Sequence, residues 1–487
     1  MIKLYRNDKT KQIDQLAADY LGVNSFELMQ LAGAAVYAHL KDDPHVLVIT
    51  GPGNNGGDGF VVAELARQQG QVVHVLALHP PEKLTGDARQ AAKLYQGEVL
   101  TMADAERIKQ LSFDVIVDAI FGTGLTRTVG GTYADVIQWV NQQSCSKLAI
   151  DIPSGLNGSS GQIEGVAVRA DKTVAILANN TGLYTQDGSD CCGEVCFESL
   201  HVPEAAYQTV LHSGELLHEN ALKALTNRAN NSHKGDFGHV LTAGGQAGML
   251  GAVLLAGRAV LKAGAGSTTV ITDASHAHML PLHAPELMSV AYDSVACVGG
   301  LAPEQINRAS VLLCGMGLGQ SQWSKQLFKS CLQSKLALVL DADGLNLLAQ
   351  AASVPKQLAV ITPHPGEAAN LLQCSTQDIQ NNRWQAVQDL AKKYQCVAVL
   401  KGSGTLIADG EATWCCPYGN ANLATAGSGD VLAGMVAGLM AQGYEAKQAA
   451  RLAVLWHAIG GGRSVYGMTL TASELLNSLH LVINSET

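Results

Sequence analysis

Short apolar runs punctuate the first two hundred residues at 46–49, 72–78, 115–117 and 148–150, and stretches between them, such as 60–69 and 133–141, carry apolar positions at helical spacing. A strand buried on both faces reads as an unbroken apolar run, and the return to its parallel neighbour takes a helix, so this alternation predicts βαβ units on a parallel sheet. The runs lead into glycine, aspartate or serine, and in open α/β sheets ligands sit at such carboxyl ends of strands. Polar punctuation breaks the pattern between residues 205 and 232, in His212-Ser213-Gly214-Glu215 and again from Thr226 to Ser232. The alternation then resumes, with runs at 239–243, 268–271, 311–314, 336–340, 358–361 and 397–400. Two α/β domains are therefore expected, 1–212 and 222–487, with no sequence repeat between them.

Composition narrows the class. Of 487 residues 47% are hydrophobic and 15% charged, with 51 glycines against 13 prolines, which suits packed cores and excludes collagen, a coiled coil or a disordered chain. Lysine and arginine number 32 and aspartate and glutamate 42, a net charge of -10, so no chain-wide basic field exists to hold nucleic acid or an anionic membrane. No apolar run reaches the roughly 18 residues of a membrane span, and Met1 to Arg6 lacks the apolar stretch of a signal peptide. The cytoplasm is the expected compartment. The 11 cysteines are an odd number, and neither Cys191, Cys192 and Cys196 nor the doublet Cys415-Cys416 has zinc-ligand spacing, so reduced thiols are expected.

Candidate chemistry in the first half starts at Gly51-Pro52-Gly53-Asn54-Asn55-Gly56-Gly57-Asp58-Gly59, a glycine-rich loop after a strand and before a helix. Its glycines formally spell the dinucleotide fingerprint, but the next strand lacks the terminal acid that would hold ribose hydroxyls, so an ordinary nicotinamide oxidoreductase is disfavoured. Unpaired N–H groups at a helix start attract phosphate; a plain connecting turn is the alternative. Asp118 ends a second strand ahead of Gly122-Thr123-Gly124-Leu125-Thr126-Arg127-Thr128, and Asp151 ends a third in Asp151-Ile152-Pro153-Ser154-Gly155. Carboxylates at adjacent strand ends crowd one crevice unless a cation or substrate uses them. From Leu28-Met29-Gln30-Leu31-Ala32-Gly33 to Ser154-Gly155, residues 1 to about 210 resemble the NAD(P)H-hydrate epimerase family, which implies a Rossmann-like doubly wound sheet. The resemblance also implies that Asn54 to Asp58 and Gly122 to Thr128 contact the hydrated cofactor, that Asp151 is the acid/base, and that Asn55, Asp118 and Ser154 hold potassium. Oxygen donors suit that hard cation.

The second half has no GxxxxGK[ST], so its phosphate machinery is not a P-loop. Instead Thr425-Ala426-Gly427-Ser428-Gly429-Asp430 precedes a helical run whose Gly434 and Gly438 allow close packing. Small residues there free backbone N–H groups for an anion, with Asp430 beside it as a base; a helix-capping aspartate is the alternative. Lys401-Gly402-Ser403-Gly404-Thr405, Thr362-Pro363-His364-Pro365-Gly366-Glu367, Asp341-Ala342-Asp343 and Gly315-Met316-Gly317 end four more strands. Together with His233-Lys234-Gly235-Asp236 and Gly244-Gly245-Gln246, these motifs resemble the ribokinase-like, ADP-dependent NAD(P)H-hydrate dehydratase family over residues 225 to 485. That resemblance implies ADP contacts at Lys401, Gly402, Ser403, Gly404, Thr405 and Gly429, hydrate contacts at Ala252, Gly317, His364 and Asp430, and Mg2+ as a charge shield.

The activity so implied is repair. One half interconverts R and S hydrates of NADH and NADPH (NADHX and NADPHX), and the other dehydrates the S form with ADP as co-substrate, releasing AMP and phosphate. A homo-oligomer is expected. The rival readings are an ATP-dependent kinase of a small alcohol and a nucleotide-binding sensor without turnover.

Overall fold

Nine strands carry the first part of the chain: β1 (Ile2–Tyr5), β2 (His45–Thr50), β3 (Val72–Ala77), β4 (Val99–Leu100), β5 (Val115–Ala119), β6 (Ser146–Ile150), β7 (Lys172–Ile176), β8 (Asn179–Asn180) and β9 (Glu194–Glu198). The structure, a computed structural model, describes residues 2–225, 227–292 and 301–484, which divide into compact units at 215/216. Seven of the strands form one parallel sheet in the order β4-β3-β2-β5-β6-β7-β9, while β1 pairs with β8. Strand residues alternate between two cores. Val46, Val48, Val115, Val117 and Leu148 pack with Phe26, Phe60 and Ala63 on one face, and Leu47, Ile49, Ile116 and Ala149 with Val136, Ile137 and Val140 on the other. Helices on both faces make the sheet doubly wound. From β2 the chain proceeds outward through β3 and β4, and from β5 outward the other way, so the carboxyl ends of β2 and β5 border the crevice at the reversal.

The glycine motif after β2 is mostly helix. The helix Asn54–Gln68 starts inside it, capped by Gly53, where the sequence suggested a loop as far as Gly59. Close packing explains the difference. A Cβ on Gly51 would fall 1.9 Å from the Ile120 carbonyl oxygen and one on Gly56 2.3 Å from that of Gly51, so only glycine lets the first helical turn settle onto the strand ends.

The second unit contains β10 (Gly214–Leu216), at the join, then β11 (His239–Ala243), β12 (Ser267–Thr272), β13 (Met288–Ala291), β14 (Val311–Cys314), β15 (Ala337–Leu340), β16 (Leu358–Ile361), β17 (Val397–Leu400), β18 (Thr405–Ala408) and β19 (Thr413–Cys416). Their order is β13-β12-β11-β14-β15-β16-β17-β18-β19, parallel as far as β17 and antiparallel at β18 and β19. The hairpin was hidden in the sequence reading because Lys401 to Thr405 resembled one continuous loop; the turn at Asp409-Gly410, where Asp409 accepts from the N–H groups of Glu411 and Ala412, was its signal. Cys415 and Cys416 are buried in β19, and the described cysteines are all thiols. The helix Ser428–Ala441 lies against the helix Leu250–Lys262, with Gly434 and Gly438 facing the backbone at Ala256 and Val260. Strand order reverses between β11 and β14, again bordering a crevice at the carboxyl ends. Among the described residues no helix is long and apolar enough to cross a membrane.

Candidate active sites

A cleft of about 710 Å³ opens at the β2/β5 reversal. Asn54, Asn55, Asp58, Gly122, Thr123, Gly124, Leu125, Thr126, Arg127 and Asp151 all line it. Gly56 and Gly57 do not: they are buried, Gly56 against Gly51 and Gly57 against Met29 and Ala88, so glycine there serves packing. Thr128 lines an adjoining pocket of about 270 Å³.

Asp151 follows β6 with φ at 65°, a left-handed conformation that costs a non-glycine residue energy and is retained where the surroundings enforce it. Its N–H is held by the Val174 carbonyl at 2.8 Å. A Cβ on Gly122 would lie 3.4 Å from Asp151 Oδ2 and 3.5 Å from Asn55, which brings three expected site residues to one point. Burial, helped by Asp14, pushes the Asp151 carboxyl up to about 7 against hydrogen bonds from the Thr123 and Ile176 backbone. Burial, then Asp151 and Asp14, hold Asp58 well above the usual carboxylate range. A carboxyl raised to about 7, as Asp151 is, exchanges protons readily near neutral pH, as general acid/base work requires.

Asp118 and Ser154 sit behind the cleft. Ser154 donates its N–H to Asp118 Oδ2 at 2.7 Å and its hydroxyl to Oδ1 at 2.5 Å, and accepts from the Phe121 N–H at 2.8 Å. Burial raises Asp118 to about 6 in spite of these bonds. Asn55, which lies against Gly122, is buried with both amide atoms unpartnered among the described groups. The buried, orphaned Asn55 oxygen, the buried Asp118 carboxylate and the Ser154 hydroxyl are all oxygen donors, a chemistry that suits potassium. Residues that sequence reasoning passed over also line the cleft: Asn7, Thr10, Lys11 and Asp14.

In the second unit Gly427, at φ 88°, turns the chain into the helix Ser428–Ala441, and Asp430 occupies its third position. It is therefore not the capping residue. A Cβ on Gly429 would stand 3.2 Å from Lys401 Nζ and 3.8 Å from Asp341 Oδ2, so the helix start faces both groups. Lys401 Nζ lies 2.7 Å from Asp341 Oδ1 and 3.8 Å from Glu367 Oε2. Burial opposes its charge, but Asp341, Glu367 and Asp430 prevail and hold its pKa above the ordinary value. Burial and the neighbouring Asp341 push Asp430 up to about 7, with Lys401 pulling the other way.

Ala252 and Gly317 meet at the β11/β14 reversal, a Cβ on Gly317 falling 3.1 Å from that of Ala252. His364 caps the helix Pro365–Leu372, its Nδ1 accepting from the N–H groups of Gly366 and Glu367, which leaves Nε2 to carry the proton. Gly402, at φ 135°, and Gly404, at φ 61°, shape the loop that ends at Thr405, the first residue of β18. Two supports were missed from the sequence. The buried Arg383 guanidinium donates to the carbonyls of Leu400, Lys401 and Gly404 at 3.3–3.4 Å. His457 Nε2 lies 3.2 Å from Ser428 Oγ and 3.0 Å from its carbonyl oxygen, and burial lowers the ring to about 4. A polar group inside an apolar helical run was the only signal for His457, and Arg383, first residue of the polar helix Arg383–Tyr394, gave none.

Two crevices at two reversals of strand order, each with an aspartate titrating near 7, define a two-domain α/β enzyme, and the Lys401-facing helix start gives its second unit the layout of a phosphoryl-transfer site. Comparison with known proteins narrows the class. The family profile described as NAD(P)H-hydrate dehydratase matches residues 240–479, and that of the YjeF-related protein N-terminus matches 25–182. The bifunctional NAD(P)H-hydrate repair enzyme Nnr of Coxiella burnetii is 38% identical over 99% of this chain and 100% of its own length. That of Escherichia coli K12 is 34% identical over 98% and 93%. Among solved structures, the ADP/ATP-dependent NAD(P)H-hydrate dehydratase of Bacillus subtilis, co-crystallized with ATP/Mg2+, is 28% identical, covers 56% of this chain and 99% of its own, and has a TM-score of 0.51. A ribokinase-like superfamily protein of Enterococcus faecalis is 27% identical over 56% and 96%, with a TM-score of 0.50. The chain belongs to the bifunctional NAD(P)H-hydrate repair enzymes, with an epimerase domain followed by a ribokinase-like dehydratase domain.

Proposed function

We propose that the two crevices divide the repair, Asp151 acting in the first and Asp430 in the second. In the first, Asn54, Asp58 and Gly122 to Arg127 seat the hydrated cofactor and Asp151 exchanges a proton with the hydroxyl on its nicotinamide ring. Asn55, Asp118 and Ser154 hold a potassium ion, which when bound supplies fixed positive charge behind the site.

In the second, Ala252 and Gly317 seat the S hydrate, and Lys401 to Thr405 with Gly429 hold ADP. His364, exposed and with Nε2 3.4 Å from Glu367 Oε1, contacts the hydrate. Hydroxide leaves poorly, so the enzyme first esterifies it. Asp430 takes the hydroxyl proton as the oxygen attacks the terminal phosphorus of ADP, the phosphoanhydride bond breaks, and AMP departs. The Gly427 to Gly429 amides and Lys401 face the charge that spreads over the phosphoryl oxygens. The ring nitrogen then pushes out phosphate, and loss of the adjacent C–H proton restores the dihydronicotinamide. Among the described residues no cluster of carboxylate, histidine or cysteine side chains could hold a metal by itself, so magnesium would come with the phosphates of the nucleotide and, when bound, would shield their charge.

The observation that carries this reading is the convergence of Gly429, Lys401, Asp341 and Asp430 on one helix start. The test is to mix the protein with hydrated NADH and ADP and to follow dihydronicotinamide absorbance together with AMP. Both rise if the reading holds; binding without either product overturns it. The reduced cysteines favour a cytoplasmic setting.

A further inference from the structure

The helix Asn7–Leu21 precedes the stretch matched by the N-terminal family profile, which begins at residue 25. Asn7, Thr10, Lys11 and Asp14, spaced three, one and three residues apart, share one face of it, and that face is a wall of the first cleft. Asn7 Oδ1 and Thr10 Oγ1 are buried without a hydrogen-bond partner among the described groups, Asn7 Oδ1 lying against Gly158. The wall is fastened to the Gly122 to Thr128 loop, because Asn7 Nδ2 donates to the Thr123 carbonyl at 2.8 Å.

The following step rests on the assignment of this cleft to epimerisation. Inverting the carbon that bears the hydroxyl requires departure of oxygen from one face of the ring and arrival on the other, and one carboxyl cannot serve both faces. Asp151 follows the end of β6 and Asp14 comes from the separate helix Asn7–Leu21, and both line the cleft. Asp58, partly buried, lines the cleft from the first turns of the helix Asn54–Gln68 and is held well above the usual range by burial and by both other acids. It is suited to donate a fixed hydrogen bond.

We infer that Asp14 is the second catalytic carboxyl of the epimerase site, exchanging a proton with water on the ring face opposite Asp151. In one direction Asp151 gives its proton to the leaving hydroxyl, the C–O bond breaks to release water, and the ring nitrogen lone pair makes the iminium. A water oxygen then bonds to the same carbon from the other face, its proton passes to Asp14, and the electron pair returns to nitrogen. In the reverse direction the roles exchange, so each turnover leaves one proton on the pair. Burial raises Asp14 to about 6, close to Asp151 at about 7, and the charged groups facing the pair are Lys11, Asp58, Asp87 and Arg127. The active form is the singly protonated pair, and its limbs belong to the pair jointly.

The experiment uses the full chain and the R hydrate of NADH, with conversion to S followed by chromatography in the absence of ADP. Asp14→Asn is expected to lower kcat by about 100-fold or more while KM changes little, and to turn a bell-shaped pH profile into one with a single limb. An unchanged kcat and an unchanged bell overturn the inference. If Asp14→Asn loses hydrate binding, Asp14→Glu decides: partial activity with a displaced limb supports the role, and a folded protein with none overturns it. Wild type unable to interconvert the epimers would instead refute the assignment of the cleft.

Discussion

At the scale of single residues the proposed roles give the two aspartates opposite halves of the work. Asp430→Asn is expected to abolish ADP-dependent dehydration while leaving R/S interconversion intact, and Asp151→Asn to do the converse; product analysis on each variant checks both. Stability adds a second readout. Asp430, raised to about 7, keeps a proton in the folded state that the unfolded chain gives up near pH 4. Between those values the folded state binds more protons, so this group's contribution is full in acid and is lost as pH rises through 7. Asp430→Asn removes the dependence, so without nucleotide its melting temperature should gain on wild type between pH 6 and pH 8. A constant difference would show that Asp430 ionises freely. His457 has the opposite sign, since its folded pKa is lowered to about 4, and it favours the folded state more strongly above its unfolded value.

At the scale of elements, the loops proposed to touch ligands are held by groups outside the proposed sites. Arg383 lies against the loop proposed to hold ADP with its guanidinium on three carbonyls, and a buried carbonyl left unpaired costs about 1–3 kcal/mol. A Cβ on Gly402 would stand 2.9 Å from that guanidinium, so loop and support are fitted to each other. Lysine cannot span the same carbonyls. Arg383→Lys should raise KM for ADP about tenfold or more, with epimerisation unaffected; equal KM values would show that the loop holds itself. The glycines after β2 and along the helix Ser428–Ala441 likewise bring elements together rather than bend the chain, because a methyl group would meet a carbonyl oxygen.

At the scale of the whole molecule, each unit has a sheet, cores on the faces of that sheet, and a crevice at its own reversal of strand order. A chain cut at the polar join should therefore yield an N-terminal piece that interconverts epimers and a C-terminal piece that dehydrates the S hydrate. Assay of the separated pieces checks this, and loss of either activity would show that the join contributes to it.

Much of this was legible in the chain. The runs at 311–314, 358–361 and 397–400 coincide with β14, β16 and β17, because a strand buried on both faces leaves an unmistakable apolar block. The strand-end motifs around Asp151, Lys401 and Asp430 were legible too, since chemistry needs those residue types in turns at carboxyl ends. Less visible were short or mixed elements such as β18 and β19, and groups whose meaning is a neighbour far away in sequence. Asp14 reads as an ordinary polar helix position until Asp151, 137 residues later, faces the same cleft. Arg383 reads as a surface arginine until the sheet closes over it. Sequence alone determined the alternation, the two-part division and the residue types available for catalysis, because these follow from periodicity and local conformation. Only the tertiary structure decided which acids share a cleft and near what pH they titrate, because desolvation and charge coupling depend on distances that close when the sheet is wound.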